Sequence, residues 1–536
     1  MKNYIVILLL GSFLFCTGQE DRFYIRAHSE KTEIPVTTQD SVVRYTGSDA
    51  RLQRLFNTHQ VKTFRKGFKY AESDKLQRTY FVIAEGTSFQ QALLTETSDV
   101  FEFGESLEKE TLKIYEPNDY GTTSTTGKNL GAQAFLDYYD FLGVPQAWYY
   151  TTGSRDVIIG ISDGSVNLEY PEFAGKTTQF KKSSYSKGHG NSVAATAAAQ
   201  GDNGYGAAGV CYDCSIYSTS YGDFKFFNQL LELSRAGAQV INCSWGSTRY
   251  YDTAQEAINE LRANGTVIVS VPHNEAYSKT KGEKPRYPGA YEHVINVGTI
   301  QHRYDSPQDN IQISEAGKPY AASIKYHLGR TGGFTNHDTK NGTYTLYKSS
   351  TNNLDSTVDI VAPGNFIFRY GPFEEEGTVK YNPFAATSPA APLVSGTVGL
   401  MFSLNPDLSV DEVNTIIKIT STNIDHIKAN APFAGKYGAG SLHTGRAVKF
   451  VHDMLEKNAY ATVENQRFTR WKFDIEAAQK IKIQNQIFEK DAVVDFNAKE
   501  EILIQEESVF LPAQNGSILL TVDPTRAYNS QVKNPE

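Results

Sequence analysis

From about residue 132 to 455 the chain alternates short, wholly apolar runs with longer runs of helical spacing. No other feature constrains the fold as much. Val157–Ile161, Ser215–Ser218, Val240–Cys243, Thr266–Val271 and His293–Val297 read as strands. Between them, His189–Ala199 is Ala-rich and helical, and Phe224–Ala236 carries Phe227, Leu230 and Leu231 at helical spacing. Ala254–Ala263 puts Ala257, Ile258 and Leu261 on one helical face and ends at Asn264-Gly265. Ser409-Val410-Asp411-Glu412 is a capping box that opens a further helix. A strand that is apolar on both faces must be covered on both faces. Strands alternating with helices satisfy this as a parallel sheet with helices on either side. The expectation is an α/β, doubly wound, mostly parallel sheet, with its chemistry at the carboxyl ends of the strands.

The flanks read differently. In residues 19–115, Thr79–Ala84 and Val100–Phe103 read as strands around a helix at Phe89–Leu94, an α+β unit containing βαβ. Pro117–Gly131 is rich in Asn, Gly, Ser and Thr and has a linker's composition. Segment 303–356 is polar and Gly-rich and reads as surface loops. After 456 the alternation stops. Ile481, Ile483, Ile502, Ile504, Ile518 and Leu520 fall in period-two runs, and Asn515-Gly516 is a tight-turn signal. Residues 457–536 are therefore expected to form a small β-rich appendage, and no internal repeat is legible elsewhere.

Met1–Gln19 has the form of a secretory signal: Lys2, an apolar Tyr4–Phe15, and small residues at Cys16-Thr17-Gly18. The apolar run is shorter than the ~20 residues a bilayer span needs, and no other stretch is apolar enough to cross. Residues 1–18 are expected to be removed. The alternative is lipid anchoring through Cys16, against which Phe15 is bulky. Export leaves Cys211, Cys214 and Cys243, an odd count that permits one disulfide. Cys211–Cys214 is the expected pair, and Cys243, in an apolar strand, is expected to be a buried thiol. No second ligand pair stands near them for zinc. Lys plus Arg is 52 against 60 Asp plus Glu, a net charge of −8 with no dense basic run. That excludes a basic nucleic-acid binder.

Three stretches carry candidate chemistry. Asp163 ends an apolar strand in Ile161-Ser162-Asp163-Gly164-Ser165. His189 stands between glycines at the head of an Ala-rich helix. Ser388, in Ala386-Thr387-Ser388-Pro389-Ala390-Ala391-Pro392, opens another helix, with prolines where a missing N–H costs little. Taken singly, each has a plain structural reading as a strand-end cap, a loop histidine or a helix cap. Together they suit nucleophilic acyl transfer. A serine hydroxyl attacks once an imidazole takes its proton, and a carboxylate fixes the imidazole's tautomer. A helix N-terminus favours the developing oxyanion.

The order Asp, His, Ser on an α/β alternation resembles the subtilases, the subtilisin-like serine peptidases of family S8. Ile159–Ser165 resembles their Asp motif, His189-Gly190-Asn191-Ser192-Val193-Ala194 their His motif, and Ala386–Pro392 their Ser motif. Four further segments match in order: Val240–Gly246, Val267–Glu275, Tyr287–Gly298 and Val358–Gly364. The resemblance covers roughly 130–455, within an expected domain of 116–456. It implies Ser388 as nucleophile, His189 as general base, Asp163 as its orienting partner and Asn274 as oxyanion donor. It also implies a substrate cleft between Ser244-Trp245-Gly246 and Ser270-Val271-Pro272, with Gly222 along the substrate backbone. Several positions depart from the family pattern: Gly164-Ser165 after the Asp, Ser192 for a second His, His273 and Ala386 for Gly, and Pro389 for Met. The resemblance further implies that residues 19–115 act as a propeptide, with a permanent accessory domain as the alternative. The protein is then expected to be a monomeric serine endopeptidase, secreted, periplasmic or at the cell surface. Its partners would be a polypeptide substrate and its own propeptide. No cofactor is required for the chemistry, and structural calcium is expected only from the resemblance. The alternative function is a catalytically weak subtilase-fold binding or scaffolding protein.

Overall fold

The computed structural model describes residues 20–28, 33–39, 42–68, 71, 73–85, 88–107, 114–125, 130–183, 187–222, 225–274, 283–302, 354–370, 386–427, 430 and 433–527, with short strands inside 303–353. The signal-like segment, most of the 303–356 region and Glu275 lie outside them. The chain divides into two units, Met1–Lys113 and Ile114–Glu536.

The first unit contains β1 (Glu20–Ala27), β2 (Val36–Gln39), β3 (Val42–Tyr45), α1 (Ala50–Thr58), β4 (Val61–Lys66), α2 (Asp74–Gln77), β5 (Thr79–Glu85), α3 (Phe89–Glu96) and β6 (Phe101–Ser106). Its main sheet has the order β4-β5-β1-β6. β5 and β6 both run antiparallel to β1. They are therefore parallel to each other, and β5-α3-β6 is a βαβ unit split by β1. Alternate strand residues Phe23, Ile25, Val82 and Ala84 bury against Leu52, Leu55, Phe56, Phe89 and Leu93 of α1 and α3.

The second unit opens with α4 (Asp137–Leu142) and α5 (Val144–Tyr150). It continues with β7 (Ile158–Asp163), β8 (Thr177–Gln179), α6 (Lys187–Ala198), β9 (Ser215–Ser220), α7 (Asn228–Arg235), β10 (Val240–Cys243), α8 (Asp252–Ala263), β11 (Val267–Ser270) and β12 (Val294–Gln301). Five strands of two or three residues follow, β13 (Ile311–Ile313), β14 (Pro319–Ala321), β15 (Leu328–Gly329), β16 (Gly332–Phe334) and β17 (Tyr344–Leu346). Then come β18 (Ile360–Pro363), α9 (Ala390–Leu404), α10 (Val410–Ile419) and α11 (Thr444–Leu455). The central sheet runs β8-β9-β7-β10-β11-β12, with β18 beside β12. All these pairs are parallel, and only β15 joins antiparallel. The expected α/β doubly wound sheet is what forms.

Its strands are apolar throughout because successive residues serve opposite faces. Val240, Val267 and Val269 pack with Val193 and Ala197 of α6 and Leu393 and Val394 of α9. Ile241 and Ile268 pack with Leu230 and Leu233 of α7 and Ile258 and Leu261 of α8. The chain turns from β7 to β9 on one side and later to β10 on the other, so β7 is the switch point of the sheet. α7 starts at Asn228 rather than 224, because its N-cap Phe227 takes φ +50. The described parts of the linker-like 117–131, residues 117–125 and 130–131, are tied to the fold. Tyr120 is fully buried, Leu130 N–H donates to the Asn118 carbonyl, and Asn118 in turn bonds the 202–204 turn.

The last eighty residues form the expected β-rich appendage, and its strands repeat. β19 (Ala461–Glu464), β21 (Lys472–Gln484), β23 (Val493–Ile504) and β25 (Ser517–Val522) form one parallel sheet. β20 (Arg467–Phe468), β22 (Ile487–Lys490) and β24 (Val509–Pro512) form a second. This is a short β-solenoid with a period of about twenty residues. Its corners are Asn465, Asn485 and Glu507, all at positive φ. Phe468, Phe488 and Phe510 stack in register, with ring centroids 5.8 and 6.2 Å apart. The repeat escapes inspection because only a few positions per coil recur, and the short strands have no legible period. The solenoid shares a core with the α/β layer. β21 backbone N–H groups donate to Thr415 Oγ1 (2.7 Å) and Glu412 Oε1 (2.8 Å) on α10.

Cys211 and Cys214 are disulfide-bonded, and Cys243 is a buried thiol. Among the described residues no helix is long and apolar enough to cross a membrane.

Candidate active site

Asp163 is the last residue of β7, and its carboxyl is fully buried at the switch point. Oδ1 accepts from Gly164 N–H (2.5 Å) and from the Tyr221 hydroxyl (3.1 Å), and lies 2.7 Å from His189 Nδ1. An ionised carboxylate only accepts hydrogen bonds. The imidazole proton therefore sits on Nδ1, and the Nε2 lone pair is left to take a proton. His189 stands in the first turn of α6. Its neighbour Gly190 lets the helix come this close: a Cβ there would meet the Gly164 carbonyl at 2.1 Å. Ser192, where the family pattern has a second histidine, ties the helix to the Tyr370 carbonyl (3.0 Å).

Ser388 lies one residue ahead of Pro389, the N-cap of α9. A buried chain of hydrogen bonds fixes its backbone. Ser395 Oγ donates to Asn242 Oδ1 (3.0 Å), Asn242 Nδ2 to Ser244 Oγ (2.9 Å), and Ser244 Oγ to the Ser388 carbonyl (2.9 Å). No local signal marks Asn242 or Ser395, because each reads as a polar residue in an apolar element. Asn274 is held by Thr387, whose N–H (2.8 Å) and hydroxyl (2.9 Å) both bond its side-chain oxygen. A backbone N–H can only donate, so the amide is oriented with its Nδ2 turned from Thr387. His273, beside it, holds φ +80, a backbone region that suits glycine.

These groups share one open cleft of about 710 Å³. His189, Ser388 and Asn274 line it, with Gly222, Ser244, Trp245, Gly246 and Val271. Lys182, Tyr221 and His273 are further lining residues. Asp163 stands behind His189. Two expected wall residues do not line the cleft. Ser270 is fully buried with its hydroxyl on the Cys243 carbonyl (3.0 Å), and Pro272 is buried and outside the lining. Trp245 contributes less than expected. Its indole N–H donates to the Ser162 carbonyl (2.9 Å) and its ring packs on Phe227, so most of the side chain belongs to the core.

Among the described residues no group of three or more His, Cys, Asp or Glu is arranged to hold a metal. Acidic side chains do converge at Glu172 and Asp119. There burial pushes Glu172 up to about 8 and Asp119 to about 6, and the Tyr370 hydroxyl bonds Glu172.

The family model described as the Subtilase family, peptidase S8, matches residues 154–440, more than half of the chain. The chain is similar to an extracellular serine protease of Serratia marcescens, 27% identical over 317 residues, covering 51% of this chain and 30% of that protein. It is similar to thermitase of Thermoactinomyces vulgaris, 27% identical over 295 residues, covering 52% of this chain and 87% of that protein. Among solved structures, fervidolysin of Fervidobacterium pennivorans is 17% identical, covers 81% of this chain and 61% of that one, and has a TM-score of 0.44. The chain spans from under a third to about half the length of several of the curated relatives it matches.

Proposed function

The chain belongs to the subtilase family, and from that membership we propose that it is a secreted serine endopeptidase acting through an acyl-enzyme. The observation that carries this reading is the buried Asp163 bonded at 2.7 Å to the Nδ1 of a His189 that shares its cleft with Ser388 and Asn274. Ser388 Oγ attacks the scissile carbonyl while His189 Nε2 takes its proton. Asp163 stabilises the imidazolium that results. The Asn274 amide, oriented by Thr387, stabilises the oxyanion. The imidazolium returns the proton to the leaving amine, and water repeats the sequence on the acyl-enzyme. No step uses a metal or cofactor.

The unit Met1–Lys113 has its own hydrophobic core. It is proposed to be the propeptide, cut near the 112–130 segment after export, and the released enzyme is proposed to act as a monomer on polypeptides. The second reading, a subtilase-fold binder, is favoured by His273 at a positive φ beside the oxyanion donor. The test is labelling of the processed protein by a fluorophosphonate probe, together with hydrolysis of a peptide library. Both are expected in the parent, and Ser388→Ala is expected to lose about 10⁶ in turnover. A parent that binds peptides yet neither labels nor cleaves is the binder.

A further inference from the structure

Tyr221 is a residue that neither the motifs nor the family resemblance singled out. The register of β9 on β7 sets Ser220 beside Asp163, so the next residue emerges at the rim where the Asp–His pair sits. Its position is fixed on both sides. Gln229 Nε2 donates to the Tyr221 carbonyl (2.8 Å), and Gly222 turns the chain at φ +68. The ring packs against the α7–α8 core. The hydroxyl then falls 3.1 Å from Asp163 Oδ1 and 3.4 Å from His189 Nδ1. Asp163 Oδ2 is buried with no hydrogen-bond partner among the described residues, so the bonds orienting this carboxylate converge on Oδ1. Tyr221 supplies one of them.

We infer that Tyr221 is a positioning residue that, through its hydrogen bond to Asp163, sets the basicity of His189; the inference rests on the peptidase reading of the same site. A phenol donating to a carboxylate withdraws charge from the oxygen that also faces the imidazole, so the carboxylate stabilises an imidazolium less than it would without that bond. Removing the hydroxyl leaves Asp163 more basic toward Nδ1–H and raises the pH at which His189 gives up its proton. The titratable and charged groups that face this pair are few among the described residues. They are Asp163 on β7, Tyr221 after β9, the Cys243 thiol on β10, Lys182 ahead of α6 and His273 after β11. Burial holds the Cys243 thiol well above its usual range and neutral. Tyr221 is the one whose hydroxyl bonds Asp163 directly.

The test compares the parent with Tyr221→Phe, which removes one oxygen and keeps the ring. The acid limb of kcat/KM and of the fluorophosphonate labelling rate is expected to move up by about half a pH unit, with KM changed less than about twofold. The His189 titration followed by NMR, assigned with a His189→Gln variant, is expected to move the same way. That readout needs no turnover. A parent that neither labels nor cleaves would end the peptidase reading, while the NMR titration still decides the role of the tyrosine. If Tyr221→Phe folds poorly, Tyr221→Leu lacks the same hydroxyl and is expected to shift in the same direction. A variant whose activity and melting temperature fall together, while the limb and the His189 titration stay at the parent's pH, overturns the inference.

Discussion

Two parallel sheets in this chain are built on opposite plans. In the α/β layer, neighbouring strands come from different stretches of sequence, as where Val240 of β10 pairs with Ile159 of β7. Each strand arrives with its own end residue, so unlike groups meet at one rim: Asp163 at the end of β7, Tyr221 after β9, Ser244 after β10, Asn274 after β11. In the solenoid, each strand pairs with the one about twenty residues further on, and like stacks on like. Phe488 lies between Phe468 and Phe510, and Asn485 Nδ2 donates to Asn465 Oδ1 at 2.8 Å. An acid, a base and a nucleophile cannot be gathered by stacking one residue type. The ladder's two sheets pack on each other through Phe473, Phe488 and Phe496, and β21 is also covered by α10. The comparison predicts that chemistry and stability can be damaged separately.

The largest separate effect is expected in the ladder. Phe488 is fully buried against Phe468, Phe473, Phe496 and Phe510. Phe488→Ala is expected to cost about 3–5 kcal/mol of stability, read as a fall in denaturant midpoint. Hydrolysis per folded molecule should stay at the parent's level below the transition. A matching loss of kcat in the folded variant would show that the solenoid shapes the cleft, and the two plans would not be separable.

The converse damage is expected from Asn274→Ala. Asn274 is exposed at the cleft, and among the described residues its side chain bonds the Thr387 turn. The variant is expected to lose about 10²–10³ in kcat with KM nearly unchanged. Its melting temperature should stay within the small range usual for surface changes. A loss confined to KM would move Asn274 from oxyanion donor to substrate binding.

What could be read from the sequence follows the same division. β7, β10 and β11 were legible because a strand buried on both faces has no choice but an unbroken apolar run. Asp163, His189 and Ser388 were legible because each needs small neighbours, such as Gly190, to let helix or substrate approach. Tyr221 was not, because one tyrosine among thirty-two at the end of a strand carries no local mark. Only the register of β9 on β7 makes it a partner of Asp163. The same holds for the Ser395–Asn242–Ser244 chain, which joins a helix to a strand 153 residues away. The resemblance implies Ser270 as a cleft wall, but a motif does not say where a hydroxyl bonds, and this one crosses to the Cys243 carbonyl. The ladder was missed because stacking needs only one or two like residues per coil. That is too few to stand out against a polar background.

The smallest predicted effect lies where the two plans meet. Glu412 closes the capping box of α10, accepting from Ser409 N–H, and also accepts the Glu476 N–H of β21 at 2.8 Å. Burial pushes its carboxyl up to about 8, from an unfolded value near 4.5. The folded chain therefore holds a proton that the unfolded chain releases between those values. Stability from this group is complete below about 4.5 and is lost as pH rises toward 8. Glu412→Gln keeps one acceptor and turns an NH2 toward the other donor. It should cost about 1 kcal/mol at pH 5. The gap in melting temperature between parent and variant should narrow steadily up to pH 8, because only the parent has a proton to lose. If the α/β layer and the solenoid melt as one body, the whole transition should move. A variant in which only part of the transition moves would show that Glu412 joins two independently folding blocks.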